Sequence, residues 1–132
     1  MNSLYLQVIT MTKKILFILI VICSIPALAD DDVNIVNDYE ILIDLTKYDI
    51  PPGAYKKAAM KAFIGRDWNI LNIGESSVTG KLYYKRGISP VEIDFSQAPI
   101  VRMKYTDNEQ NTSIPYLMNL KRDMLDKLLA CP

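Results

Sequence analysis

Glu92 and Asp94 stand two residues apart in a run of strand-favouring residues, so both carboxylates leave the strand on one face. Paired acids on one face are the equipment of a glycosidase or a metal site. Lys81 and Lys85 on the preceding run, and Arg102 and Lys104 on the following one, fall on the matching face. A basic, acidic, basic ladder of cross-strand pairs then accounts for all six charges on a solvated surface, each pair contributing about 0.2 to 1 kcal/mol. Charges that satisfy one another need no substrate, and the ladder is the preferred reading. Tyr83 points to the same face and is the aromatic anchor a ligand or partner would use. Tyr83, Lys81, Lys85, Glu92, Asp94 and Arg102 are therefore the candidate binding residues.

Other chemistries find less support. The chain has no histidine, which removes the commonest general base, the usual catalytic triads and most zinc sites. Gly74-Glu75-Ser76-Ser77 resembles a nucleophile turn that lacks its second glycine, with Lys81 or Lys85 as a conceivable base. A serine-rich hairpin loop explains it better. Asp107, Glu109 and Asn111 begin a calcium-loop spacing, but Thr112 replaces the required glycine and Met118 the bidentate acid. No catalytic residue, metal or cofactor is expected.

The elements that position these residues follow from pattern. Residues 68–73, 78–85, 91–95 and 100–105 are four strand-like runs joined by short polar connections, which permit only antiparallel neighbours and imply a meander. Residues 33–45 alternate in part, with Tyr39, Ile41, Ile43 and Leu45 on one side, and read as a further strand on one sheet edge. Residues 54–64 are rich in alanine and lysine between Pro52 and Gly65, a helix that buries Tyr55, Ala59, Ala62 and Phe63. From residue 114 to 129 a stripe of Ile114, Leu117, Met124 and Leu128 predicts a closing amphipathic helix. Trp68 and Phe63 belong to the core. The expectation is an α+β fold of two layers, helix, four-stranded meander and helix, with both helices on the apolar face.

The N-terminal region carries an export signal. Lys13 and Lys14 precede an apolar run over residues 15–22, and Ala27-Leu28-Ala29 supplies the small-x-small cleavage pattern. Residues 1–29 are then the signal, with Met11 a better start than Met1, residues 30–53 form an N-terminal segment, and residues 54–132 the α+β domain. Pro26 breaks a stretch already shorter than the ~20 apolar residues a membrane span needs. Lipidation at Cys23 would require a small residue where Ile22 stands, so membrane association by that route is disfavoured. Fifteen basic and fifteen acidic side chains balance in the full chain; losing Lys13 and Lys14 leaves thirteen against fifteen. Such a balance gives no electrostatic case for nucleic acid. Cys131 is then the remaining cysteine, a free thiol or the link of a disulfide dimer.

Ala58 to Ala62, then Arg66-Asp67-Trp68, Gly80, Val91-Glu92-Ile93, Met103-Lys104-Tyr105 and a closing helix with Leu120 together resemble a widespread group of small, uncharacterised bacterial periplasmic proteins and lipoproteins. The group usually has glycine where this chain has Asp67. The resemblance implies the α+β fold and an exported location, and it transfers no site residue. The reading that follows is a periplasmic or secreted, non-catalytic interaction module. It would act through an open sheet face or edge on another envelope protein. A small carboxylate and lysine enzyme, or a secreted inhibitor or effector of another protein, are the alternatives.

Signal peptidase cleavage after Ala29 predicts a mature N-terminus at Asp30. Intact mass of the exported protein checks it, and a species beginning with acylated Cys23 would refute it.

Overall fold

A computed structural model describes residues 32–83 and 87–129. The β-branched and aromatic runs form β1 (Val33–Asn37), β2 (Glu40–Asp44), β3 (Asn69–Ile73), β4 (Ser77–Lys81), β5 (Val91–Asp94) and β6 (Ile100–Tyr105). Helix α1 (Ala54–Gly65) lies between β2 and β3, and helix α2 (Ile114–Leu128) closes the chain. The strands make one open antiparallel sheet in the order β1-β2-β6-β5-β4-β3. α1 lies over β3 and β4, α2 over β2 and β6, and the helices pack on each other. The fold is therefore α+β with both helices on one face, and the expected meander is present as β3 to β6.

The N-terminal segment departs from expectation. Two strands stand where one was read, and β2 lies inside the sheet between β1 and β6. Asn37 Oδ1 accepts the Tyr39 N–H at 3.0 Å, turning the chain tightly between them. The alternation itself is kept: Ile41, Ile43 and Leu45 are fully buried. The second departure is the end of β4, which stops at Lys81 and not at Lys85. Its last pair with β5 joins Gly80 to Val91, and the next residue of that partner is Pro90, which has no N–H to continue a ladder. Lys85 lies outside the described residues.

One contact sets the distance between α1 and the sheet. A Cβ built on Gly80 would lie 2.5 to 2.8 Å from the Phe63 ring, so the ring rests directly on bare backbone. Phe63 is fully buried and Ala58, Ala59 and Ala62 beside it are small and buried, which lets α1 approach the sheet closely. The far end of α1 is fastened by a Schellman motif. The Trp68 N–H bonds the Phe63 carbonyl at 2.9 Å and the Asp67 N–H the Ile64 carbonyl at 3.1 Å, while the Trp68 and Phe63 rings meet at 5.7 Å. Asp67 occupies the left-handed position of that motif, with φ of 60°. Glycine takes this conformation most easily.

In α2 the buried residues are Leu117, Leu120, Lys121, Met124 and Leu125. The stripe is thus centred on Leu120 and Met124, and Leu128 is only half-buried at its margin. Tyr105 ties the start of α2 to the sheet: it is buried, and its hydroxyl donates to the Ser113 carbonyl at 2.7 Å.

Two outcomes follow from this packing. Gly80→Ala should destabilise by about 1 to 3 kcal/mol in chemical denaturation, and adding Phe63→Leu should recover part of the loss because the two sites share one contact. Burial pushes the Tyr105 hydroxyl up from 10.0 to about 12. The unfolded chain therefore ionises first as pH rises, so stability is unaffected below about 10 and falls between 10 and 12. Tyr105→Phe should cost about 0.5 to 1.5 kcal/mol at neutral pH and flatten that alkaline decline.

Candidate functional site

The face of the sheet opposite the helices carries the charged residues. In register, Glu92 of β5 stands opposite Lys104 and Asp94 opposite Arg102, so the acidic and second basic strands meet as expected. The first basic strand does not. Thr79 faces Glu92 and Ser77 faces Asp94, while Lys81 pairs with Asn69 of β3. The register that puts Gly80 under Phe63 displaces Lys81 beyond the acids. Lys81 instead holds its Nζ 5.3 Å from the centroid of the Tyr83 ring, a cation–π contact past the strand end. Tyr83 is 56% exposed.

Among the described residues no ion pair joins Glu92 or Asp94 to a base. Arg102 reaches across to Glu40 of β2 at 2.9 Å, and Asp94 Oδ1 accepts the Ser96 N–H at 2.8 Å. A cavity of about 300 Å³ on this face is bordered by Leu42, Asp94, Ser96, Gln97, Ile100 and Arg102. The structure thus brings Glu92, Asp94 and Arg102 together, sets Lys81 and Tyr83 to one side, and adds Glu40, which the sequence reading had not enlisted.

The remaining chemical candidates resolve into local structure. Ser77 opens β4, and its carbonyl accepts the Gly74 N–H at 2.8 Å in a hairpin turn. Ser76, the serine at the nucleophile position, directly precedes β4, its carbonyl accepting the Phe95 N–H at 2.9 Å; β4 alone spans about 13 Å from Ser77 to Lys81 at the rise of a strand, which puts Ser76 beyond reach of a dyad with Lys81. Asp107 Oδ1 accepts the Glu109 N–H at 3.0 Å, and the Asn111 N–H bonds the Gly87 carbonyl at 2.8 Å. That loop's polar groups are engaged within it and with the adjoining Gly87 and Ser89. Among the described residues no group of three or more Cys, Asp or Glu is placed to hold a metal ion, and no helix is long and apolar enough to cross a membrane. Cys23 and Cys131 lie outside the described residues, as do residues 1–29.

The two sheet edges differ from the open face in character. β1 and β3 contain no charge and no proline, and Ile35, Val36, Leu71 and Ile73 on them are each about half exposed. Each edge is interrupted by a register shift, at residues 35–37 in β1 and 70–72 in β3. Such a bulge shortens the ladder available to another strand.

A second cavity, of about 340 Å³, lies at the start of β3. Gly65, Arg66, Asp67 and Trp68 of the α1 terminus line one side, and Tyr116, Asn119 and Asp123 of α2 line the other, with Leu82 completing it. The Arg66 guanidinium and the Asp123 carboxylate form a two-pronged ion pair between the helices, Nε to Oδ2 and the second prong at 3.3 Å. Trp68 stands edge-on to Tyr116 with ring centroids 6.5 Å apart. Trp68 is in the core, as its type and position predict, whereas side-chain patterning assigns no site role to Arg66 and Asp67, which line the cavity. The available signal was an aspartate, where a helix stop favours glycine, directly before the only tryptophan.

The chain matches no family model, and no curated protein and no solved structure shows significant similarity to it.

Asp67→Gly should hold or raise stability, by up to about 1 kcal/mol, since glycine accepts the left-handed position at least cost. Asp67→Val should lower it by about 1 to 2 kcal/mol. Thermal unfolding distinguishes them, and a loss on Asp67→Gly would mean the carboxylate itself supports the fold.

Proposed function

We propose that this chain is an exported, non-catalytic interaction module that binds another envelope protein along the β3 edge of its sheet. The observation that carries the reading is the exposure of Leu71 and Ile73 on an edge strand free of charge and proline. Natural edges are commonly guarded by charge or proline, and an unguarded apolar edge invites a partner strand. The β3 bulge limits that pairing to a short stretch, so side chains must supply much of the affinity. The open face supports binding less well, because Arg102 is engaged with Glu40 and exposed charge pairs contribute little. The export signal and the resemblance to small periplasmic proteins support an envelope location.

The experiment is capture from envelope extract by the protein beginning at Asp30, repeated with variants that retain the native circular dichroism spectrum. Leu71→Lys and Ile73→Lys should each reduce recovery of the partner at least fivefold, whereas Arg102→Ala and Tyr83→Ala should not. The reverse pattern would move the interface to the open face, and equal recovery by all four variants would refute both surfaces.

A further inference from the structure

The cavity between the α1 terminus and α2 opens beside the first residue of β3, so a strand lying along that edge would bring one of its side chains to the cavity mouth. Its charge decides which side chain. Arg66 is already neutralised by Asp123 through two contacts, and Asp67 adds a carboxylate at an exposed position that accepts no hydrogen bond among the described residues, so the lining carries a net charge of minus one from Arg66, Asp67 and Asp123. Tyr116 and Trp68 supply aromatic surface, and Asn119 a further acceptor. An anion would meet unbalanced negative charge. A guanidinium or ammonium group would instead find a free carboxylate, an acceptor amide and aromatic carbon within one concavity.

The backbone gives an independent argument. Asp67 sits in the left-handed position of a helix stop, where glycine would be easier. A residue that departs from the locally favoured choice is explained when its side chain does something glycine cannot. Here Asp67 lines the cavity, and among the described residues its carboxylate accepts no hydrogen bond and forms no ion pair. We infer that the cavity lined by Asp67, Trp68, Tyr116, Asn119 and Asp123 is a recognition pocket for a basic side chain, arginine or lysine, of the partner segment on β3. This deepens the edge-binding reading, and it can be tested apart from that reading with ligands too small to form a strand.

The probes are N-acetylarginine methylamide and N-acetyllysine methylamide, with N-acetylglutamine methylamide, N-acetylglutamate and glucose for comparison. Trp68 is the only tryptophan, so its indole N–H resonance reports the pocket alone. Saturable shifts in the millimolar range are expected for the two cationic amides, and at least fivefold weaker responses for the other three. Asp67→Asn keeps a side chain that tolerates the left-handed backbone but removes the charge. It should weaken the cationic probes at least fivefold while leaving the spectrum dispersed, and Asp67→Gly should do the same. Ile73→Lys, at the far end of β3, should leave probe binding unchanged even where it abolishes partner capture. Three results overturn the inference: no saturable response to either cationic amide at tens of millimolar, an equal or stronger response to glutamine amide or glucose, or undiminished binding by Asp67→Asn. Loss of partner capture on Ile73→Lys with a silent pocket would keep the edge and dismiss the pocket. A responsive pocket with capture unaffected by both edge variants would do the converse.

Discussion

The contact of the Phe63 ring with the bare backbone of Gly80 governs most of what surrounds it. It fixes how closely α1 lies on β4 and the register of β4 against β5, with Gly80 opposite Val91. Phe63 is also the residue whose carbonyl receives the Trp68 N–H, so the contact anchors the helix stop and the entry into β3. Through that stop it places Arg66 against Asp123 and Asp67 at the cavity. Core and cavity therefore share one support, and a change of volume at position 80 would reach both.

The charged face illustrates how side-chain patterning and register act at different levels. Period-two alternation correctly assigned Glu92, Asp94, Arg102 and Lys104 to one face, because alternation is a property of each strand alone. Which charge meets which depends on pairing, and pairing between β4 and β5 answers to the apolar face beneath. Burial of Phe63, Val78, Val91 and Ile93 outweighs exposed ion pairs worth a few tenths of a kcal/mol each. Lys81 accordingly yields its place opposite the acids to Thr79 and settles over Tyr83.

Much of the architecture was legible for the same reason. The buried face of α1, the four-strand order and the closing helix are all written in local periodicity and short connections. What escaped was decided by single residues acting against a longer pattern. The Asn37 turn is hidden inside an alternation that continues on both sides of it. Pro90 ends β4 from the opposite strand. Lys121 is polar by type yet buried in α2, which shifts the true centre of that helix's stripe toward Leu120. The cavity escaped because Arg66, Asp67, Asn119 and Asp123 converge from two helices whose relative placement no linear spacing encodes; only Asp67, at a helix stop that prefers glycine, left a mark in the sequence.

The strand order also has a consequence in time. β3 to β6 pair with their immediate neighbours in sequence and close through short loops, whereas β2 must find β6 across the whole of that meander. Local pairs form at little loop-closure cost and distant ones must wait. A chain made from its N-terminus thus presents Ile41, Ile43 and Leu45 long before the strand that covers them exists. By loop-closure cost alone the β1–β2 hairpin is expected to join the sheet last, and until it does the apolar side of β2 is the stretch a chaperone would have to shield.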